Sequence, residues 1–313
     1  MACVALTDRA ARLNNQNPLK IETIFPLHIW LKDAPWNHVW VRWFLAYALL
    51  PLTLVQFVTS NTSDTAFGAS FFGLYFAILW LLVLYLSMAP GRPDVLLLSQ
   101  IALFTAFVGV VIVVVLQQAP PFNILYAGTQ AQGELALLPR MLGFILGVGV
   151  VEETTKALPI WIFCYNRNYP ASPLMYSFIG AVSGLAFGVA EAVHYSYLYA
   201  NGLTHGRYGV SVYMIAEFLR LISLPLLHAC WSAVVGYFIG LARLYRGPAK
   251  SLIAFGIIVA AILHGLYDTL SGSWAGLAVA AVSLIVFVSY VRTSALISKQ
   301  LESQYLSPTE NML

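Results

Sequence analysis

Charge is what this sequence has least of. Only 9% of its 313 residues are Asp, Glu, Lys or Arg, while 60% are hydrophobic. A soluble domain carries about 25% charged residues. The shortfall excludes a soluble enzyme, a nucleic-acid-binding domain and a disordered chain, because too few polar side chains are present to cover a solvated surface. Cysteine is scarce too: Cys3, Cys164 and Cys230 have no C-x-x-C spacing, which excludes a disulfide framework and a thiolate metal site. No H-E-x-x-H, no nucleophile elbow and no Gly-rich phosphate loop occurs. The first 38 residues lack a compact apolar core with a small-residue cleavage site, so a cleavable signal peptide is not expected.

What is present is long apolar runs. A membrane span needs about 20 mostly apolar residues. Eight runs qualify: 39–58, 66–89, 95–116, 141–165, 174–200, 225–245, 251–270 and 273–297. They are continuous and do not alternate, which excludes a barrel. The fold expected is all-α, a polytopic transmembrane helical bundle of about eight spans. Residues 117–140, broken by Pro120, Pro121 and Pro139, read as the longest loop, and 210–223 as an extra amphipathic helix ending before Pro225. The chain then divides into a cytoplasmic segment 1–38, accessory spans and an outer loop over 39–138, a polar-motif core over 139–272, and a last span with a cytoplasmic tail over 273–313.

The small net charge of +3 reports orientation. With the N-terminus inside, the cytoplasmic side holds Arg9, Arg12, Lys20, Lys32, Arg92, Arg167, Arg243, Arg246, Lys250, Arg292 and Lys299. The other side holds Arg140, Arg207 and Arg220. Basic residues favour the cytoplasm, so both termini are expected there.

Charged side chains inside a span cost about 2.5–3.5 kcal/mol each on insertion scales and usually face a protein interior or a water-filled cavity. Here the acidic residues and histidines within spans are confined to spans four to seven. Glu152, Glu153 and Lys156 stand in the run 141–165. The two carboxylates are about 100° apart on a helix, so they cannot share one environment. Lys156 is four residues from Glu152 and three from Glu153 and can pair with either; the i,i+4 spacing suits Glu152 better, which would leave Glu153 for chemistry, but the base stays open between the two. Glu191 and His194 share a face, behind a stripe of Gly180, Gly184 and Gly188 suited to close packing. His228 stands alone in the next run, and His264 lies four residues before Asp268. An Asp at that spacing can orient an imidazole. At 1.5 Å per residue, Glu152, Glu191 and His264 fall about 18, 14 and 9 Å from the outer ends of their spans. The simplest arrangement that hydrates them all is a polar chamber in the outer half of the membrane.

Two carboxylates and two or three histidines without a thiolate suit water chemistry. A desolvated Glu can serve as a general base and a His donor can stabilise an oxyanion. The same donors suit Zn²⁺, held by His228 and His264 with Glu153 or Glu191, leaving a position for water. Residue types alone do not separate a metal-held water from a glutamate-activated one, so the cofactor reading stays open between none and Zn²⁺. Glu152, Glu191 and Asp268 would equally suit a proton- or cation-coupled transporter, although transporters usually carry such residues in both halves of the chain. A non-catalytic membrane scaffold is the remaining alternative.

The ordered set Glu152-Glu153-Thr154-Thr155-Lys156, Phe187-Gly188-Val189-Ala190-Glu191, His228 with Gly236, and His264-Gly265-Leu266-Tyr267-Asp268 resembles the PrsW-type intramembrane proteases. These share a superfamily with CAAX prenyl proteases and bacteriocin-processing membrane proteases. The resemblance covers about residues 140–270. It implies a multi-pass protein of the bacterial inner membrane that cleaves a membrane-anchored protein, such as an anti-sigma factor, on its extracytoplasmic side. The membrane-buried polar residues give Glu152, Glu153, Glu191, His228 and His264 as the catalytic candidates, with Lys156, Asp268 and His194 in support. The partners are then the substrate and the lipid bilayer, not nucleic acid. In the CAAX enzymes the second motif ends in His, where this chain has Glu191. Their Glu/His water activation and prenylated substrates therefore do not carry over directly.

Overall fold

A computed structural model describes Val39, Arg42 and residues 62–88, 90–133, 135–167, 169, 172–207 and 210–306. All but Val39 and Arg42 belong to one compact unit, Phe57–Leu313. The expected first span, 39–58, lies outside the described residues apart from those two. Among the described residues the unit is helical, without a β-strand.

The chain enters it with α1, Thr62–Met88. A turn through Gly91, at φ 93°, leads to α2, Val95–Gln118. Asp94 caps α2 by accepting from the Leu97 N–H at 3.1 Å. A short helix α3, Phe122–Ala127, follows. The next run, α4, is continuous over 137–165 but widens to π-helical turns at Gly143–Gly149 and Trp161–Tyr165. Then come α5, Pro173–Thr204; α6, Val210–Leu244; α7, Ala249–Leu270; and α8, Trp274–Leu306.

Five of these segments are long and apolar enough to cross a membrane: Val95–Gln118, Pro173–Ser196, Leu219–Leu244, Ala249–Leu270 and Trp274–Ile297. The charged residues of α4 keep it out of that set, and in α1 the apolar stretch is the shorter Gly73–Met88. Burial divides the five by position. The α5 and α6 segments are each 83% buried, whereas those of α2, α7 and α8 are 22, 28 and 17% buried. The pair α5–α6 is therefore the centre. The outer helices present Phe107, Val111, Phe255, Leu277 and Ile285 outward, a surface that suits lipid tails.

Glycine builds that centre. A Cβ at Gly180, Gly184 or Gly236 would overlap the backbone carbonyl of Ser232, His228 or Tyr176, respectively, across the α5–α6 contact. Without lipid–water contrast to drive helices together, such close approach supplies dispersion contacts instead. Serine adds hydrogen bonds: Ser177 donates to the Ala233 carbonyl at 3.0 Å, and Ser183 donates to the Lys156 carbonyl of α4 at 2.8 Å.

Two expectations are corrected here. The segment 210–223 is not a separate helix, because α6 runs unbroken through Pro225. The proline removes one backbone donor, yet the helix continues through it, and Gly188 of α5 lies close against the Pro225 backbone. The expected loop over 117–140 is partly folded. Its helix α3 packs on the π-helical part of α4, where a Cβ at Gly147 would come within 2.7 Å of the Tyr126 nitrogen.

Candidate active site

Helices α4 to α7 bring the four polar motifs together. Glycine again sets the distances: a Cβ at Gly149 of α4 would lie 2.6 Å from the Ala261 carbonyl of α7, and one at Gly265 would lie 2.5 Å from the Ile145 backbone. The π-helical stretch Gly143–Gly149 leads directly into Val150–Ile160, the part of α4 that carries both glutamates. A π-turn shifts the register of the residues beyond it and is frequent at functional sites.

Glu153, Lys156, His228 and His264 are buried at 0–1% exposure, and Glu152 at 6%. Lys156 Nζ lies 2.7 Å from Glu153 Oε1, 3.5 Å from Glu152 Oε2 and 2.7 Å from His228 Nδ1. It also sits 4.5 Å from the Phe187 ring centroid. The nearer carboxylate is the i,i+3 one, so the pairing reverses the i,i+4 expectation. Glu153 is engaged three ways: Lys156 donates to it, Ser232 donates to Oε2 at 3.2 Å, and His264 Nδ1 lies 3.0 Å from Oε1.

That leaves His264 Nε2 facing the other carboxylates, 3.8 Å from Glu152 Oε2 and 3.3 Å from Asp268 Oδ2. The ring is held flat against Trp231, with centroids 4.4 Å apart and planes 12° apart. Trp231 is in turn fixed by donating to Ser283 of α8 at 3.0 Å. The two imidazoles meet edge to face at 5.0 Å. His228 Nε2 is 2.8 Å from Glu191 Oε2, and Arg220 reaches Glu191 Oε1 at 3.6 Å while lying 3.4 Å over the Tyr195 ring.

Glu152 Oε2, Glu191 Oε2 and His228 Nε2 are buried here without an aligned hydrogen bond, the last two facing one another at 2.8 Å. Unsatisfied buried polar atoms cost free energy and need an explanation. One ligand atom each from Glu152, His228 and His264 lies within 4.8 Å of the others. Two imidazoles and a carboxylate, with a further carboxylate beside them, are a donor set that suits Zn²⁺ with one position left for water. The residues therefore fit a divalent metal in type, number and convergence.

A cleft of about 480 Å³ opens on this cluster, lined by Phe144, Tyr195, Arg220, Ser223, Tyr267 and Asp268 among others. Two of its walls touch the cluster, Arg220 through Glu191 and Asp268 through His264. Lining residues Phe144, Tyr195, Leu219 and Ser271 come from the ends of α4 to α7 that the sequence reading puts outermost.

Of the residues singled out in the sequence, Glu152, Glu153, Lys156, Glu191, His228, His264 and Asp268 are brought together. His194 is not: it is exposed, in edge-to-face contact with Tyr195. Trp231, Ser232 and the role of Arg220 were missed. Trp231 and Ser232 follow His228 by three and four residues, a spacing that puts them on its face.

A family model described as PrsW family intramembrane metalloprotease matches residues 93–293, which contain all four motifs. A curated relative, "Protease PrsW" of Shouchella clausii (strain KSM-K16), is 29% identical over 136 residues, 44% of this chain and 57% of the relative. Another, "Protease PrsW" of Halalkalibacterium halodurans, is 26% identical over 159 residues, 49% of this chain and 65% of the relative. The matches thus span less than two thirds of either relative. No solved structure gives a significant match. Because the family match covers well over half of its length, this chain belongs to the PrsW family of intramembrane metalloproteases.

Proposed function

We propose that this protein is an intramembrane endopeptidase that hydrolyses a peptide bond of a membrane-anchored protein. The observation that carries the reading is that Glu152, His228 and His264 each bring one buried ligand atom within 4.8 Å of the others, with Glu191 beside them at 2.8 Å from His228. Glu152, His228 and His264 would hold a divalent ion such as Zn²⁺. When bound, such an ion polarises a carbonyl and makes a nucleophile of a water near neutral pH.

The chain's own residues do the rest. Glu191 is the base we assign, because it borders the metal-binding set without belonging to it and Arg220 holds its other oxygen. It takes the proton of the attacking water and can pass it to the leaving amine. Glu153 is a positioning residue: it fixes His264 through Nδ1, as a carboxylate behind a ligating histidine does. Lys156 and Ser232 hold Glu153 in turn. Asp268 borders both His264 and the cleft, where a peptide would enter.

The basic-residue asymmetry supports a cleft that opens outward, and the bacterial relatives support an inner-membrane location. An anti-sigma-factor-like anchored protein is then the substrate class to test first. The test is cleavage of single-span substrates in membranes by wild type, Glu152→Gln and Glu191→Gln, with a chelator arm. Loss in both variants, and loss with chelator restored by Zn²⁺, is expected. Cleavage surviving the chelator and both substitutions would sink the reading.

A further inference from the structure

His228 has its two nitrogens committed in opposite directions. Nδ1 lies 2.7 Å from Lys156 Nζ, and Nε2 lies 2.8 Å from Glu191 Oε2. An ammonium has three donors and no acceptor. The contact with Lys156 therefore occupies the lone pair of Nδ1, which leaves the proton of a neutral ring on Nε2. A protonated Nε2 cannot be a metal ligand, since ligation takes the lone pair of that nitrogen. The same ammonium stands 2.7 Å from Glu153 and 3.5 Å from Glu152. One buried cation thus already stands among the carboxylates that a divalent ion would face.

We propose that Lys156 is a built-in counter-cation of the metal-free site, and that a metal ion enters only as Lys156 releases His228. The proposal rests on the metal-dependent reading above. On release, one proton moves from Nε2 to Nδ1 by way of water, and the ring stays neutral. Lys156 keeps Glu153, which the i,i+3 spacing holds within reach on the same helix. Its ammonium and the metal then exclude one another at His228. Lys156 stabilises the empty site and weakens metal binding. A lysine that only oriented the ligands would strengthen binding instead, so the two roles differ in sign.

The experiment uses the full chain in detergent with Zn²⁺ alone as the probe. Wild type and Lys156→Met are compared by calorimetric titration and thermal unfolding. The variant is expected to melt lower than wild type without metal, to bind Zn²⁺ about tenfold more tightly, and to gain more in Tm on loading. A folded variant with unchanged or weaker Zn²⁺ affinity overturns the proposal and leaves the metal reading intact. A second measurement needs no stable variant: ¹⁵N-histidine NMR of wild type, with the His228 signals assigned by their loss in His228→Gln. Protonation at Nε2 without metal and at Nδ1 with Zn²⁺ is expected. The same tautomer in both states overturns the proposal. Wild type that binds no Zn²⁺ overturns the metal reading and the proposal together.

Discussion

Gly184 of α5 lies directly against the backbone carbonyl of His228, so that a Cβ at position 184 would overlap that oxygen. The position of a site histidine is thereby tied to the absence of a side chain on the neighbouring helix. Overpacking such a contact costs about 1–3 kcal/mol. Gly184→Ala should lower the thermal stability of the purified protein and reduce cleavage together, because α6 must shift and carry His228 with it. Gly247→Ala is the control, since nothing lies within 4 Å of a Cβ there. A Gly184→Ala protein that melts and cleaves like wild type would show that α5 and α6 are not packed this closely.

The adjacent glutamates should separate experimentally. Glu152 Oε2 is unsatisfied and lies in the donor set, whereas Glu153 is held by Lys156, Ser232 and His264. Glu152→Gln should abolish stoichiometric Zn²⁺ in the purified protein. Glu153→Gln should weaken Zn²⁺ binding about 10–100-fold, the usual loss for a partner behind the ligands. Metal analysis across a titration decides it: equal losses, or a greater loss for Glu153→Gln, would reverse the two assignments.

Why one glutamate differs from its neighbour was only half legible in the sequence. Spacing showed that Glu152 and Glu153 cannot face the same way, and the i,i+4 rule favoured Glu152 for Lys156. The structure puts Lys156 closer to Glu153. Helical spacing leaves both partners in reach, and residues from α6 and α7 decide between them: Ser232 and His264 add to the pull of Glu153. The apolar runs gave the helices themselves, because lipid leaves the backbone little alternative. Pro225 misled, since a proline inside a membrane helix can be accommodated without ending it, as here. The stripe Gly180, Gly184 and Gly188 was visible as a pattern, but its targets on α6 were not. Gly149 and Gly265, which set α4 against α7, form no stripe and gave no signal.

Orientation is tested by accessibility. Tags at both termini should be cytoplasmic, and a tag in the turn at Gly133, a loop position with φ 97°, should be extracytoplasmic. The basis is eleven Lys and Arg residues on one side against three on the other, in the assignment given above. Protease protection of the Gly133 tag in spheroplasts, with both termini exposed to the outside, would invert the topology and turn the cleft toward the cytoplasm.

Arg220 should matter through Glu191 and not through the metal. Its guanidinium lies 3.4 Å over the Tyr195 ring and 3.6 Å from Glu191 Oε1, at the wall of the cleft. Glu191 needs an oriented carboxylate if it is to take a proton from water, and a planar guanidinium stacked on an aromatic face is a rigid support. Arg220→Ala should therefore lower kcat, by about 10–100-fold if much of a general base's contribution is lost. Zn²⁺ content and affinity should stay near wild type, since Arg220 pairs with Glu191, outside the donor set of Glu152, His228 and His264. Arg220→Lys should recover only part of the activity, because a flexible point charge neither stacks as the guanidinium does nor fixes the carboxylate plane. The informative comparison is kcat, KM and metal content in all three proteins. If Arg220→Ala loses metal in proportion to activity, Arg220 supports the whole cluster. If KM rises while kcat holds, it binds substrate in the cleft and leaves Glu191 alone.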